Sequence, residues 1–205
     1  MRKPRNPTSG ISLYIKQRDC TTGSDAEYWQ HEITEAVRKE TARIPAHFRE
    51  ATCDTQLGDS GLYLHGPVGT GKTYAAAALA IQAVKAGLDI KWISSSTWLT
   101  AMKASFNGAP APDDVSAILT RCDLLVIDDL GSEKSSEWAV EQLFVLINEA
   151  YEQNVQLIVT SNLKFSGLNK RLGSRIVSRL VEVCDPVAIE GEDRRKLAAK
   201  ARRQG

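Results

Sequence analysis

Short apolar runs and longer amphipathic stretches take turns along most of this chain. GLYLH (Gly61–His65), IKWIS (Ile90–Ser94), LLVI (Leu124–Ile127) and QLIVT (Gln156–Thr160) are each too short for a helix and rich in strand-forming residues. Between them lie segments with helical spacing: an Ala-rich stretch from Thr73 to about Lys85 ended by Gly87, then Thr97–Phe106, a piece running to Arg121, and Ser136–Gln153. Further helices are expected through Cys184, and a last strand near Pro186–Ile189. Asn107–Asp113, with Gly108, Pro110 and Pro112, reads as a loop. Strands alternating with helices predict a parallel sheet covered by helices on both faces. The unbroken LLVI run suits a strand buried on both sides.

The ends differ from this middle. Residues 1–24 bear Pro, Ser, Thr and Gly and predict little order; Asp25–Arg43 predicts one helix, with Tyr28, Ile33 (or Trp29) and Val37 near one face, stopped before Pro45. Pro45–Asp59 is a connector. The expected organisation is therefore an N-terminal segment 1–43, a main domain over 44–195 and a basic tail at 196–205.

Composition narrows the class of partner. With 205 residues the chain can bury one core, and a net charge of +1 gives no global pull toward nucleic acid or membrane. Charge is local instead: Arg2, Lys3, Arg5, Lys16 and Arg18 occur without an acid in the first 18 residues, and the tail from Arg194 is basic. Such ends are either solvated or lie along a nucleic-acid backbone. Cys20, Cys53, Cys122 and Cys184 form no CxxC pair, which argues against a zinc module and a disulfide framework. No signal-peptide core is present, and the longest apolar run, Ala75–Ile81, is too short to span a bilayer, so a cytosolic protein is expected.

Three short stretches carry chemistry. Gly66-Pro67-Val68-Gly69-Thr70-Gly71-Lys72-Thr73 fits the phosphate-loop pattern and lies between a strand and a helix, as that pattern requires. Its glycines let backbone N–H groups close on a phosphate, and the helix start adds its positive end. Lys72 would reach the β- and γ-phosphates and the Thr73 hydroxyl would ligate Mg²⁺, with Tyr74 completing the nucleotide-binding stretch. Asp128 and Asp129 end the LLVI strand, where two acids are costly unless a cation faces them. Asp128 is the expected metal-side ligand and Asp129 the group that would orient the attacking water. Asn162, ending Val159-Thr-Ser-Asn162, can hydrogen-bond both that water and the γ-phosphate. Finally, Arg175 and Arg179 in GSRIVSRL share a helical face beside the apolar Ile176, Leu180 and Val183, an arrangement that suits an anion.

IPAHFREAT (Ile44–Thr52), GPVGTGKT, LLVIDDLGSEKSSEWAVEQLF, VTSN and RLGSRIVSRL occur here in the order seen in the DnaC/IstB group of AAA+ ATPases, and the chain resembles that group from about Ile44 to Arg195. The group comprises bacterial and phage replicative-helicase loaders and the ATP-dependent helpers of certain transposases. The resemblance implies an AAA+ P-loop core binding ATP and Mg²⁺ between neighbouring subunits of a homo-oligomer. It also implies that Arg175, or Arg179 with it, reaches the neighbour's ATP as an arginine finger; guanidinium suits that role because it is always charged and grips phosphate oxygens in a fixed fork.

The chain departs from the family pattern in places. Gly191-Glu-Asp-Arg-Arg195 has Asp193 and Arg194 where the family's closing element carries Ser and Tyr, which weakens a nucleotide role for Arg195. Ala150, before Tyr151, stands where the family often has an arginine, and Asp129 where much of the superfamily has a longer glutamate; both imply slow hydrolysis, a switch rather than a motor. No helical lid is expected after the last strand. The leading expectation is a helicase loader that engages the replicative helicase and single-stranded DNA, its docking element being the Asp25–Arg43 helix. The alternative is an IstB-type helper that assembles on duplex DNA and recruits a transposase. A small-molecule P-loop kinase would need a lid and an acceptor pocket that the sequence does not display. DNA contact is expected from Ser94–Lys103 and the Asn107–Asp113 loop, with Lys103 the basic residue there.

Overall fold

The computed structural model describes residues 39–133 and 136–193. The expected helix at Asp25–Arg43 and the basic tail lie largely outside them; Lys39–Thr41 is helical, and Arg43 donates to Ile90 O (2.6 Å) while pairing with Glu40 (2.7 Å). Five strands form one parallel sheet: β1 (Gly61–His65), β2 (Ile90–Ser94), β3 (Leu124–Asp128), β4 (Gln156–Ser161) and β5 (Cys184–Ala188), in the order β2-β3-β4-β1-β5. The helices are α1 (Lys72–Lys85), α2 (Ser95–Ser105), α3 (Val115–Leu119), α4 (Glu137–Glu152), α5 (Phe165–Leu172) and α6 (Ser174–Val183). The predicted elements are all present within these bounds. Boundaries move by a residue or two, and one residue changes element: Cys184 opens β5 rather than closing a helix, because its backbone pairs with Gly61 of β1.

The pleat of β3 explains the two-sided core. Leu124 and Val126 join Leu64, Ile158 and the apolar shell of α1; Leu125 and Ile127 join Tyr63, Leu157, Val159 and helices α4 to α6 on the opposite face. All four apolar residues of β3 are fully buried, so the run carries no alternation. Helix α1 is buried on most of its circumference because its alanines let it lie close to the strands. It ends in a Schellman motif, with Leu88 N–H donating to Ala83 O (3.0 Å), Gly87 N–H to Val84 O (2.9 Å) and Gly87 at φ 87°. Helix α4 is capped by Ser136, whose hydroxyl accepts from Ala139 N–H (3.2 Å), and buries Ala139, Leu143, Leu146, Ile147 and Ala150 along one stripe. Ala150 therefore faces the core.

Burial pushes the Cys122 and Cys184 thiols up to about 12, which leaves them unreactive packing groups. No helix among the described residues is long and apolar enough to cross a membrane.

The chain leaves β1 in the middle of the sheet, crosses to the β2 edge and returns through β3 and β4, leaving β5 on the far side of β1. This reversal opens a crevice at the carboxyl ends of β1, β3 and β4. Leu125→Ala would remove a fully buried side chain from an interior strand and is expected to cost about 2–5 kcal/mol in denaturant unfolding, with an unchanged slope.

Candidate nucleotide site

Four segments converge on that crevice. The loop after β1 turns through Gly66 (φ 155°), Gly69 (φ 82°) and Gly71 (φ 101°) into α1, so backbone N–H groups and a helix N-terminus surround one small space. Lys72 is buried beneath it, Nζ donating to Gly66 O (2.9 Å) and Pro67 O (2.7 Å). Thr70 Oγ1 donates to Pro67 O (3.0 Å) and tightens the same turn. Val68 stands out at the loop tip, 59% exposed. Tyr74 points away toward the connector: its hydroxyl accepts from Thr52 N–H (3.2 Å) and its ring meets Phe48 edge-on at 6.5 Å.

Asp128 is the hub. Its Oδ1 accepts from Thr73 Oγ1 (3.0 Å) on α1 and from Thr160 Oγ1 (2.7 Å) on β4. Burial raises its pKa above the usual carboxylate range; the Thr160 and Thr73 hydroxyls oppose the rise, the Asp129 charge adds to it, and Lys72 opposes it. Asp129 follows in the left-handed region at φ 59°, its backbone N–H donating to Thr160 Oγ1 (2.8 Å) and its carboxylate Oδ1 accepting from Asn162 Nδ2 (3.1 Å). Asp129 and Asn162, read separately in the sequence, are thus hydrogen-bonded to each other, a contact the sequence did not predict.

Thr160 was not singled out in the sequence, yet it binds Asp128 with its donor and Asp129 with its acceptor. Ser161 does similar work one residue on, donating to Leu130 O (2.6 Å) and accepting from Leu163 N–H (3.1 Å). The available signal was two hydroxyls ending an apolar strand in a parallel sheet, where hydroxyls need partners.

The segment after β5 also reaches the loop. A Cβ built on Gly69 would lie 2.0 Å from Asp193 Oδ1, and one on Gly66 would lie 2.1 Å from Ile189 O. Asp193 therefore sits against the phosphate loop; Arg195 lies outside the described residues. Arg175 and Arg179 lie on α6 and touch none of these groups. Arg175 lies on the Phe144 ring (3.8 Å) beside Glu141 (3.7 Å); Arg179 donates to Asn148 Oδ1 (3.1 Å), pairs with Glu182 (3.6 Å) and covers Tyr151 (4.5 Å).

The residues present fit a magnesium nucleotide. The loop turns through three positive-φ glycines into the N-terminus of α1, and Thr73 and Asp128 offer neighbouring hydroxyl and carboxylate oxygens, the donor types Mg²⁺ takes alongside phosphate. Among the described residues no group of three or more His, Cys, Asp and Glu side chains could hold a metal ion.

Fold and loop together define a P-loop nucleotide-binding protein. A family model described as IstB-like ATP binding protein matches residues 48–202, and the chain belongs to that family. The fold is shared with the crystal structure of the DnaC helicase loader (TM-score 0.55, 23% identity, 87% of this chain and 99% of that one). It is shared too with AMPPCP-bound DnaA from Aquifex aeolicus (TM-score 0.56, 20% identity, 91% of this chain and 54% of that one). The chromosomal replication initiator DnaA of Burkholderia cenocepacia (strain HI2424) is 30% identical over 134 residues, 63% of this chain. That stretch is 25% of the DnaA chain, so the match spans about a quarter of the curated relative's length.

Two outcomes are expected. Because the folded protein holds the Asp128 proton more tightly than the unfolded chain, its contribution to stability falls as pH rises above about 3.8 through the raised pKa. Asp128→Asn should therefore melt at or above the wild-type temperature at neutral pH without nucleotide, and lose the stabilisation that Mg-ATP gives the wild type; a lower melting temperature would mean that the carboxylate is net favourable. Gly69→Ala combines left-handed strain of about 1–2 kcal/mol with the Asp193 contact, and should weaken ATP binding by about tenfold or more in titration calorimetry.

Proposed function

We propose that this protein is an ATPase that assembles with ATP between subunits and loads a replicative DNA helicase near single-stranded DNA, switched by slow hydrolysis. The observation that carries the reading is the position of Arg175. Its side chain is 68% exposed, laid flat on Phe144, and among the described residues it makes no contact with the loop that holds Lys72. An arginine presented to solvent at the start of a helix is suited to a neighbouring subunit's phosphates. Arg179 has Asn148, Glu182 and Tyr151 around its guanidinium, so Arg175 is the better candidate for the finger and Arg179 for its support.

Within the subunit, Lys72 and the loop N–H groups would hold the β- and γ-phosphates, and Thr73 and Asp128 the Mg²⁺. That ion would neutralise charge between the phosphates. Asp129, held by Asn162, would orient the attacking water. A carboxylate one methylene shorter than glutamate reaches less far, which supports slow turnover.

Segment 1–43 would dock the helicase. DNA would pass α2 and the loop after it, where Lys103 lies 5.1 Å from the Trp138 ring centroid and Phe106, 72% exposed, meets Trp138 edge-on at 5.8 Å. A cation beside one exposed and one half-buried ring is a sequence-tolerant platform for single strands. The match to the IstB-like family favours a second reading, a transposition helper assembling on duplex DNA.

Lys72→Ala should abolish ATP binding; Asp129→Asn should bind and hydrolyse slowly. Arg175→Ala should bind ATP normally as a monomer and lose about a hundredfold or more of assembly-dependent turnover. Mixing it with Lys72→Ala should restore activity. A proven monomer hydrolysing at the full rate would exclude action in trans. Capture of host proteins on the tagged chain, held with a slowly hydrolysed ATP analogue, separates the two readings. A replicative helicase lost on deleting residues 1–43 supports loading; a transposase or duplex DNA alone supports the helper.

A further inference from the structure

Glu133 is a buried acid (6% exposed) that no step above uses. Its Oε2 accepts from Ser95 Oγ (2.9 Å) and from Gly131 N–H (3.1 Å), and its Oε1 lies 3.2 Å from the same nitrogen. Arg171 of α5 donates to its backbone carbonyl and lies 3.4 Å from Ser132 O. Ser95 is fully buried, and its single hydroxyl proton is shared between Glu133 Oε2 and Asp129 O (3.1 Å).

These contacts surround a strained residue. Asp129 is a non-glycine at φ 59°, a conformation that persists when its surroundings over-determine it. Thr160 fixes its N–H and Leu130 N–H donates to Thr160 O (2.8 Å). On the carbonyl side, Ser132 N–H (3.2 Å) and Ser95 Oγ hold Asp129 O, and Glu133 locks both Ser95 and Gly131. An apolar side chain at 133 would leave the Gly131 N–H and the Ser95 hydroxyl without that acceptor in a buried place.

We infer that Glu133 is a positioning residue for hydrolysis: through Ser95 and Gly131 it holds Asp129 in its left-handed conformation. Ser95 is also the first residue of α2, so a shift of that helix is transmitted to the Asp129 carbonyl through one hydrogen bond. The inference rests on the proposed ATPase reading, and it assigns Glu133 no contact with the nucleotide.

The test compares wild type with Glu133→Gln, Glu133→Ala and Ser95→Ala, reading ATP Kd, kcat and, by NMR without nucleotide, hydrogen exchange at the Gly131 amide. Gln keeps an acceptor and loses the charge. Glu133→Gln should stay within about threefold of wild-type kcat, while Glu133→Ala falls about tenfold or more with Kd within about twofold. Gly131 exchange should quicken in Glu133→Ala alone. Ser95→Ala removes a hydroxyl without a large cavity; its kcat should fall severalfold, and it serves where Glu133→Ala does not fold. Wild-type kcat in both alanine variants would overturn the inference, as would Glu133→Gln falling as far as Glu133→Ala. If the wild type itself does not hydrolyse ATP, the ATPase reading fails and the clamp is judged on exchange: an unchanged Gly131 amide in Glu133→Ala overturns it, and a quickened one supports it.

Discussion

A half-buried carboxylate at the end of an interior strand must find donors or a cation, and the way Asp128 does so organises the crevice. Two hydroxyls from different elements, Thr73 at the start of α1 and Thr160 near the end of β4, donate to the same oxygen. That single atom ties the phosphate loop, the acidic strand and the strand that carries Asn162 into one unit. Even so, desolvation wins over both hydrogen bonds, and the group holds its proton more readily than a free carboxyl. An acid kept in such a place has the electrostatics of a cation ligand.

The remaining geometry follows from the sheet. Because β1 lies between β4 and β5, the loop that follows it emerges beside the ends of β3 and β4. The parallel register sets Leu64 opposite Thr160 and His65 opposite Ser161, so the polar ends of the strands fall level with the glycine loop. The tight φ values at Gly66 and Gly69 also let the segment after β5 approach, bringing Ile189 O and the Asp193 carboxylate against the loop. An acid stands there where the family pattern carries a serine, a local difference at the phosphate end of the site.

Much of the fold was legible because each signal was local. Leu124–Ile127 announced a strand buried on both faces, and the glycine loop announced itself by spacing between a strand and a helix. Asp128, Asp129 and Asn162 were legible because polar groups ending apolar strands need a reason to be there. Thr160, Ser95 and Glu133 were not: each acts on a residue more than 30 positions away or through a buried turn, and nothing in their own neighbourhoods marks them. The boundary at Cys184 was misread because helical spacing in GSRIVSRL ran into it, while pairing with Gly61 decides its conformation.

By itself the sequence determined the element types, the glycine-loop pattern and the family, since these depend on periodicity and on short contiguous patterns. Tertiary structure alone decided which oxygen of Asp128 two threonines share, that Ala150 faces the core, and that Arg175 lies on Phe144 while Arg179 is ringed by Asn148, Glu182 and Tyr151. Two arginines four residues apart look equivalent on a helical wheel. They become different only when α6 packs on α4, because each then meets a different aromatic ring and a different set of acceptors.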